Sequence, residues 1–330
     1  MALPGVLAGL LPEKPRAETP TTSLYFSVPL AEALEAGRLQ RVEPNVFLAR
    51  DTLVVMRHWS ATTRRLLKER PEVQVIYFID DDLWGLQDDE SLGAAYLGRL
   101  RRLAKAFDEE LRPRTAAVVS PSPRILAHFA DVETHLLAPA LIHPLAGLDH
   151  HDEADGPVSM VFCGTASHLA DLSALSGALA EIMRGGGLHL TTFLGTWVPE
   201  ALRLETCTHL APQSWADYRR TITTMRFHIG LAPLEPTAFN MARSGSRLLD
   251  HAVLGAAGLY SATGPFSELV DDGINGRLVD GGPEVWGEAI SALAADRSLC
   301  RRLAEGGQAT AVKVGDPGRV RRFWSSLLSL

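Results

Sequence analysis

Short apolar runs alternate with amphipathic segments along most of this chain. The apolar runs are rich in Val, Ile and Leu, which predicts buried strands. The segments between them place Leu, Ala and Phe at helical spacing, which predicts amphipathic helices. Strands are predicted at 52–56, 73–79, 116–120 and 134–137, and again at 158–162, 188–194, 229–234, 257–261 and 276–280. Helices are predicted at 61–69, 96–111, 123–129, 171–183, 215–225 and 246–254, and three more follow in succession at 284–295, 297–306 and 319–328.

This alternation occurs twice, which predicts two α/β domains, each with a parallel sheet wrapped by helices. Between the two halves, residues 148–157 (LDHHDEADGP) are polar and acidic and end in Gly-Pro, as domain boundaries usually do. A chain of 330 residues also exceeds the usual size of one core. We therefore predict a first domain at 23–148, a linker at 149–157, a second domain at 158–314 and a C-terminal helix at 315–330.

His150 and His151 lie in this linker, beside Asp149, Asp152 and Glu153. A metal site is one interpretation, because imidazole and carboxylate groups are metal ligands. Adjacent histidines on a flexible loop lack the fixed geometry that such a site needs, so the sequence favours a solvated hinge.

Composition narrows the classes of partner. The net charge of −7 gives no reason to expect nucleic acid. Cys163, Cys207 and Cys300 lie far apart without a CxxC pair, which argues against a disulfide framework or a zinc site and suits a reducing cytoplasm. Residues 1–22 combine an apolar patch that lacks basic flanks with a Pro/Thr-rich tail. We expect a disordered leader there, and no segment of the sequence predicts a transmembrane helix.

Residues 228–280 carry the side chains from which chemistry can be argued. Their pattern is strand, polar loop, helix, Gly break, strand, loop and short strand, which is a crossover unit of a parallel sheet. In such sheets the loops at the carboxyl ends of the strands form the ligand crevice. Residues 235–245 and 262–266 are therefore the candidate binding loops.

A series of motifs in the second half is similar to a known family. In chain order they are 162–168 (FCGTASH) with Asp171, 229–235 (IGLAPLE), 240–244 (NMARS), 249–255 (LDHAVLG), 264–266 (GPF) with Glu268, and 272–279 (DGINGRLV). Their order and spacing resemble the donor-binding domain of GT-B-fold glycosyltransferases, in particular the large retaining family that includes sucrose synthases, glycogen synthases and bacterial mannosyltransferases. In the first half, residues 76–84 (IYFIDDDLW) resemble a segment of bacterial members of this group.

The resemblance implies the GT-B fold, in which two Rossmann-like domains face each other across a cleft and the C-terminal helix packs back on the first domain. It also implies transfer of a sugar from a nucleotide diphosphate sugar to an acceptor in polysaccharide or glycoconjugate biosynthesis, with retention of anomeric configuration. No metal and no cofactor are expected besides the donor substrate. The acceptor is expected to be a sugar, a lipid-linked molecule or a protein.

The family pattern also implies a donor site. Asp250 takes the position of a family Glu that accepts hydrogen bonds from the ribose hydroxyls, and the alternative is a solvent-facing helix Asp. Arg243, Ser244 and Gly245 precede a predicted helix whose free N–H groups and dipole favour a phosphate, and the alternative is a Ser cap with a surface Arg. The predicted donor-binding residues are Gly164, Thr165, Ser167, Asn240, Arg243, Ser244, Gly245 and Asp250.

Two departures from the family pattern affect the expected chemistry. Many relatives carry an Arg and a Lys after the first strand of this domain, and residues 164–171 contain neither. His168 is therefore a candidate imidazolium donor to the leaving group, or else part of the turn into the next helix. The family's first acidic residue would fall at Ala242. Glu235 is the nearest carboxylate, and it either contacts the sugar or faces solvent.

Three aspartates, Asp80, Asp81 and Asp82, follow the strand predicted at 73–79. Such a run binds Mn²⁺ or Mg²⁺ in the other glycosyltransferase fold, GT-A, but the doubled domain pattern argues against that fold. In a GT-B protein Asp81, or His58 after the strand at 52–56, would orient the acceptor hydroxyl, and helix capping is the alternative. The predicted catalytic residues are His58, Asp81, His168 and Glu235, and no metal ligand is assigned.

Basic residues on two first-half helices, 61–69 and 96–111, suggest contact with an anionic membrane, with a solvated helix face as the alternative. We expect a cytoplasmic protein, and peripheral contact with the inner face of the membrane is a further hypothesis. Two other functions stay open. The missing bases suggest a non-catalytic GT-B-like binding subunit of a glycosylation complex, and a GT-B epimerase would share the fold.

Overall fold

The structure is a computed structural model that describes residues 17–85, 93–153 and 155–330. Within these ranges the named strands form two separate six-stranded sheets. The first sheet uses residues 40–136 and the second uses residues 158–279. Each half of the chain therefore has its own sheet.

The first sheet is mixed. Its strands are β1 (Gln40–Glu43), β2 (Val46–Ala49), β3 (Thr52–Met56), β4 (Gln74–Phe78), β5 (Thr115–Ser120) and β6 (Glu133–Leu136), and they lie side by side in chain order. β1 to β3 are antiparallel neighbours, and β3 to β6 are parallel. The sequence predicted the four parallel strands but missed the β1–β2 hairpin. β1 (QRVE) is an edge strand with two exposed residues, so it has no apolar run to detect.

The second sheet is parallel throughout. Its strands are β7 (Val158–Phe162), β8 (Leu188–Thr192), β9 (Cys207–His209), β10 (Ile229–Ala232), β11 (Ala257–Ser261) and β12 (Arg277–Val279), in the spatial order β12-β11-β10-β7-β8-β9. The order reverses between β7 and β10. At such a switch point the two connections leave in opposite directions and open a crevice at the carboxyl ends of the strands.

Helices cover both sheets. They are α1 (Pro20–Thr22), α2 (Ala31–Glu35), α3 (Ala61–Glu69), α4 (Ala94–Ala106), α5 (Pro123–Leu126), α6 (Leu169–Arg184), α7 (Trp215–Ile222), α8 (Ala238–Met241), α9 (Ser246–Leu254), α10 (Phe266–Leu269), α11 (Pro283–Ala295), α12 (Arg297–Val314) and α13 (Pro317–Leu328). Single π turns lie at Ser23–Ser27 and Phe107–Leu111, and 3-10 turns at Arg112–Arg114, Asp149–His151, Ala166–His168, Gly195–Trp197 and Glu200–Leu202. In the described ranges, every helix is too short or too polar to cross a bilayer.

Two glycines explain why the end of α9 was predicted correctly and the end of α12 was not. α9 spans the residues that the sequence predicted, and it ends at Gly255, whose φ of 69° is the left-handed conformation that glycine adopts readily. The sequence ended α12 at Gly306, but the helix continues to Val314. A Cβ on Gly306 would lie 2.1 Å from the Ile274 carbonyl oxygen, so glycine there allows close packing and does not end the helix.

The expected disordered leader at 1–22 is wrong for its last residues. Residues 1–16 lie outside the described ranges. From residue 17 onward the chain is held against the first sheet: Thr22 donates to Asn45 Oδ1 at 2.5 Å and Thr21 donates to Asp80 Oδ2 at 2.7 Å. The Thr/Pro composition that suggested disorder instead supplies hydroxyl donors and the cap of α1, where Thr19 accepts from the Thr22 N–H.

The C-terminal helix packs back on the first domain, as expected. α13 places Val320, Trp324 and Leu328 in an apolar cluster with Tyr25 and Phe26, on the face of the first sheet opposite α3 and α4. The Trp324 indole is buried and donates to the Tyr25 carbonyl oxygen at 2.6 Å. The end of the chain therefore completes the core of the first domain.

The solvated hinge expected at 149–157 is wrong for its two histidines. His150 Nε2 donates to the Phe227 carbonyl oxygen at 2.9 Å, and His151, which is buried, donates from Nε2 to the Gly255 carbonyl oxygen at 2.8 Å. His228 packs against both rings and donates from Nε2 to the His150 carbonyl oxygen at 3.0 Å. No cluster of three or more His, Cys, Asp or Glu suited to a metal ion occurs among the described residues. The histidines therefore fasten the linker to the second domain.

This linker contact should make stability depend on pH. Burial lowers the pKa of His151 and of His228 from 6.5 to about 4, with Arg297 and neighbouring histidines acting in the same direction. Because the folded pKa is depressed, the stabilisation is complete above pH 6.5 and is lost as pH falls towards 4. We expect a loss on the order of 2 kcal/mol per histidine, measured by urea unfolding at a series of pH values.

Two variants separate this contribution from that of carboxylates titrating nearby. His228→Gln should reduce the pH dependence between 6.5 and 4 by about half, because His151 keeps its share. His189→Gln, on an exposed contact with Thr208, should leave the dependence as it is in the wild type. Equal slopes in the two variants would show that His228 does not contribute to acid stability.

Candidate functional site

A cavity of about 1140 Å³ lies between the two domains, at the switch point of the second sheet. The first domain contributes residues from the start of α4 and from the Pro20–Leu24 segment. The second domain contributes the loop after β7, the loops after β8 and β9, and the first two turns of α9. The lining residues include Tyr96, Thr165, Ser167, Trp215, Arg247 and Asp250. The cavity lies at the carboxyl ends of the strands, where this topology predicts a ligand crevice. The predicted binding loops, 235–245 and 262–266, do not line it, and the lining on this side begins at Ser246.

The amino-terminal end of α9 forms one wall of the cavity. Gly245 precedes the helix, and Ser246 and Arg247, its first two residues, line the cavity. The first N–H groups of a helix lack intrahelical partners, and the helix dipole is positive at this end. The wall is therefore suited to a phosphate.

Asp250 lies one turn further along α9, also on the cavity wall. Its Oδ2 accepts from Arg247 Nη1 at 2.5 Å, and each side chain is 21% exposed. Burial raises the pKa of Asp250, and the Arg247 guanidinium opposes that rise. The other carboxylate oxygen of Asp250, Oδ1, makes no hydrogen bond with the described residues. Arg247 is a charged group that sequence reasoning missed, although its position three residues before Asp250 on a helix predicts such a pair.

Arg243 is held in a network of the second domain. Its Nε donates to Asn240 Oδ1 at 2.9 Å, Nη1 donates to His168 Nε2 at 2.9 Å, and Nη2 donates to the Ser167 carbonyl oxygen at 3.3 Å. The guanidinium carbon lies 4.6 Å from the centre of the Phe239 ring. A guanidinium has five N–H donors, so one donor on each terminal nitrogen has no partner in this network. The surface Arg of the alternative interpretation is therefore wrong. Arg243 itself is not among the residues that line the cavity.

His168 is the last residue of the Ala166–His168 turn that leads into α6, as the alternative interpretation placed it. Its Nδ1 donates to Asp171 Oδ2 at 3.1 Å while Nε2 accepts from Arg243. Burial lowers the pKa of His168 well below 6.5, and Arg243 and Arg247 lower it further. The imidazole is therefore neutral and orients Arg243, so the expected imidazolium donor is wrong.

Close packing explains Gly164, at the start of the same loop. A Cβ there would lie 2.2 Å from the Phe162 ring and 2.9 Å from His168 Cβ. Glycine thus lets the loop turn tightly over β7 and leaves Thr165 and Ser167 on the cavity wall.

Asp171 ties the loops after β7 and β10 together. Its Oδ1 accepts from the Glu235 backbone N–H at 2.9 Å and from Asn240 Nδ2 at 2.8 Å. Burial raises the pKa of Asp171 even though these donors oppose the rise. Asn240 is buried and therefore positions the loop, while the Glu235 side chain is half-buried and does not line the cavity.

The first domain presents an ion-pair cluster across the cleft from this network. Arg57, which has a φ of 64°, bonds Asp81 through Nη2 and lies 3.5 Å from Asp80 Oδ1. Burial tends to raise the pKa of Asp81, but Arg57 and Arg243 hold it below its usual value. Burial and the neighbouring Asp81 raise the pKa of Asp80 against the pull of Arg57. Asp81 therefore stays ionised and faces the cations of the second domain.

The remaining first-domain candidates are His58 and Asp82. His58 is half-buried just after β3 and does not line the cavity. Asp82 Oδ1 accepts from the Trp84 and Gly85 N–H groups at 3.0 and 2.7 Å and lies 3.1 Å from His128 Nε2. Asp82 therefore caps the turn that follows it, at residues that are not helical, and Asp80 and Asp81 are held by ion pairs.

Contacts between the domains fix this arrangement. Phe239 and Ala242 of the second domain are buried in the apolar cluster of the first, and the Trp215 indole donates to Ser23 Oγ at 2.8 Å. Aromatic rings of Phe193, Trp197, Trp215 and Tyr218 line the cavity. The sequence did not predict these aromatic rings. Phe193 and Trp197 follow β8 while Trp215 and Tyr218 lie on α7, and only the tertiary fold brings the two pairs together.

Comparison with solved structures establishes the architecture. HepE from Anabaena, solved with UDP and glucose, matches with a TM-score of 0.58 and 14% identity over 81% of this chain and 74% of that chain. The chain has the GT-B fold. Sucrose-phosphate synthase from Thermosynechococcus elongatus matches with a TM-score of 0.54 and 16% identity over 80% of this chain and 69% of that chain. An alpha-glucosyltransferase in complex with UDP-glucose and DNA containing an abasic site matches with a TM-score of 0.54 and 11% identity over 82% of this chain and 76% of that chain.

At sequence identities this low, the similarity to these structures shows the fold of the chain alone. No protein-family model and no curated protein sequence matches it. The resemblance on which the GT-B expectation rested is confirmed as a structural resemblance to glycosyltransferases of this fold. The two Rossmann-like domains and the packing of the C-terminal helix are confirmed with it.

Proposed function

We propose that the protein is a glycosyltransferase that moves a sugar from a nucleotide diphosphate sugar to an acceptor. The observation that carries the proposal is the interdomain cavity, in which the amino-terminal end of α9, Arg247 and Asp250 lie together. Neighbours of the same fold were solved with UDP and UDP-glucose, which supports this donor class. Arg243, Ser244 and Gly245 are proposed to hold the diphosphate, with Thr165 and Ser167 as further donors.

The proposed reaction stabilises a leaving diphosphate by fixed charges and dipoles. Free N–H groups of α9, together with Arg243 and Arg247, would interact with the oxygens whose negative charge grows as the sugar leaves. Asp81 would orient the acceptor from the other side of the cleft. We propose that configuration is retained, that no metal or cofactor takes part, and that the product belongs to polysaccharide or glycoconjugate biosynthesis in bacteria.

Release of nucleoside diphosphate from UDP-glucose, GDP-mannose and ADP-glucose, with the product anomer read by NMR, tests the proposal. A released diphosphate supports transfer or hydrolysis. Binding without release from any of these donors would favour the alternative, a non-catalytic GT-B-like binding subunit. The missing Arg/Lys pair in residues 164–171 and the neutral His168 are the observations that favour that alternative.

Asp250 gives a specific prediction for the donor. Asp250→Asn should weaken binding of the preferred nucleoside diphosphate about tenfold, because a carboxylate accepts hydrogen bonds from ribose hydroxyls more strongly than an amide does. The wild type should also prefer the ribonucleotide over its 2′-deoxy form, and the variant should lose part of that preference. Calorimetry with both nucleotides measures the difference. An unchanged preference in Asp250→Asn would remove Asp250 from the ribose site.

Location and further partners follow as part of the proposal. Free Cys163, Cys207 and Cys300 support a cytoplasmic location. Peripheral membrane contact is proposed through basic residues of α3 and α4, although Arg64 pairs with Glu110 and Lys105 with Glu109. Pelleting with anionic vesicles at low salt tests it, and no binding would exclude it. The charge of −7 supports an acceptor other than nucleic acid, and a gel-shift with duplex DNA tests that expectation.

A further inference from the structure

One charge on the wall of the interdomain cavity has no partner. Among the described residues, the charged side chains that line the cavity are Arg99, Arg247 and Asp250. Arg247 and Asp250 form an ion pair within α9, so each compensates the other's charge. Arg99 lies on α4 of the first domain and makes no hydrogen bond or ion pair with any residue that the structure describes. The first-domain wall of the cavity therefore carries an uncompensated positive charge.

Tyr96 positions the Arg99 guanidinium. The guanidinium carbon lies 5.3 Å from the centre of the Tyr96 ring, within the range of a cation–π contact. The Tyr96 ring in turn meets the Phe239 ring edge-on, with ring centres 6.4 Å apart, and Phe239 is buried. A guanidinium that lies over a ring keeps its N–H donors in its own plane, where a ligand can accept from them. Arg99 is therefore held at the cavity wall with its donors available.

The cavity has room for a ligand group on this wall. Arg99 is exposed, and the other first-domain residues that line the cavity are Tyr96, the small residues 93–95, Pro20 and Leu24. None of these other residues carries a charge. The cavity volume of about 1140 Å³ also exceeds the roughly 300 to 1,000 Å³ of most small-molecule pockets. A second ligand therefore fits against the first domain while a nucleotide occupies the second.

The chemistry of this wall favours an oxyanion. The planar fork of N–H donors on a guanidinium matches two oxygens of a phosphate or a carboxylate. A charge-assisted hydrogen bond is about twice as strong as one between neutral groups, so an anionic ligand binds Arg99 more tightly than a neutral one does. A cationic ligand is repelled by Arg99, and among the described residues the one carboxylate on the cavity wall, Asp250, is already paired with Arg247.

We propose that Arg99 binds a phosphate or carboxylate group of the acceptor. This inference rests on the proposed function and specifies its acceptor class as anionic. Arg99 belongs to the first domain, whereas the residues proposed to hold the donor diphosphate belong to the second. Arg99 is therefore an acceptor-binding residue, and Tyr96 is the residue that positions it.

Saturation-transfer NMR titrations on the full chain test this site without requiring turnover. The nucleoside diphosphate that binds best in calorimetry is present at saturation, so the donor site is filled and cannot account for the binding of another anion. The anionic probes are glucose 1-phosphate, glucose 6-phosphate and glucuronate, and glucose is the neutral counterpart. At least one anionic sugar should bind about tenfold more tightly than glucose, because it adds charge-assisted hydrogen bonds to Arg99.

Two variants of α4 give the matched comparison. Arg99→Ala should weaken the anionic sugar about tenfold and leave glucose and the nucleotide unchanged. Arg99→Lys should recover part of the loss, because it keeps the charge without the planar fork. The control is Arg102→Ala, an exposed arginine on the same helix that has no ion pair with the described residues and does not line the cavity. It should bind every probe as the wild type does.

Vesicles of phosphatidylglycerol distinguish a lipid phosphate from a free one. A loss of vesicle binding in Arg99→Ala but not in Arg102→Ala supports the proposal and identifies a lipid-linked acceptor as the source of the anion. If neither the anionic sugars nor the vesicles distinguish the two variants, the inference is overturned.

The nucleotide titration separates this inference from the proposed function. If Arg99→Ala weakens the nucleoside diphosphate as much as the anionic sugar, Arg99 belongs to the donor site and the inference is overturned, while the proposed function stands. If no nucleotide binds but anionic sugars bind through Arg99, the proposed transfer reaction fails while the anion site stands.

Discussion

Arg243→Ala is expected to weaken binding of the preferred nucleoside diphosphate by about a hundredfold. Two N–H donors on its terminal nitrogens remain after its contacts with Asn240, His168 and Ser167. A charge-assisted contact to phosphate is worth up to about 3 kcal/mol, and loss of one such group corresponds to about two orders of magnitude in affinity. Titration calorimetry of the variant and the wild type with the same nucleotide measures the effect.

The matched control is Arg184→Ala, an exposed arginine at the end of α6 in the same domain. It removes the same charge from the domain without touching the site, so it should change affinity by less than about twofold, as screened surface charges do. Because Arg243 also supports His168, thermal melting must show that Arg243→Ala still folds. Equal effects of the two variants on a folded protein would exclude Arg243 from the phosphate site.

Trp324→Ala is expected to destabilise the protein by about 3 to 5 kcal/mol, the range for removing a large buried aromatic side chain. Trp324 is buried, packs against Phe26 with ring centres 4.8 Å apart, and donates to the Tyr25 carbonyl oxygen. Removing it leaves a cavity between the C-terminal helix and the first sheet and an unpartnered carbonyl. Urea unfolding followed by circular dichroism measures the free energy.

Two further variants distinguish packing from hydrogen bonding at this position. Trp324→Phe should cost less than Trp324→Ala, because it keeps most of the ring contact and loses the indole donor. Arg321→Ala, an exposed residue on the same helix, should change stability by less than about 1 kcal/mol. If Trp324→Ala were as stable as Arg321→Ala, α13 would not be part of the first domain's core.

The buried central strands and the amphipathic helices were predictable because burial on both sides of a parallel strand leaves an unbroken apolar run. β3, β7 and β11 have the predicted bounds, and so does α9. The edge strands β1 and β9 were not predictable, since their residues are largely exposed or half-buried and carry no periodic signal. The order of strands, which creates the crevice between β7 and β10, is a tertiary property that no local pattern contains.

The site was predictable at the level of its helix and less so in its details. The sequence placed Asp250 and the amino-terminal end of α9 in the crevice, and both line the cavity. It did not predict that His168 is neutral, because that state results from burial and from two arginines that are distant in the chain, Arg243 and Arg247.

Titration calorimetry of the wild type with UDP, GDP, ADP and CMP tests the central proposal most directly. A cavity between the domains that is lined by the first turns of α9, Arg247 and Asp250 should bind one nucleoside diphosphate with a dissociation constant in the micromolar range. Diphosphates should bind more tightly than the monophosphate CMP, because the second phosphate reaches the helix end and the arginines. Absence of binding to all four nucleotides would contradict the proposed donor site and with it the proposed function.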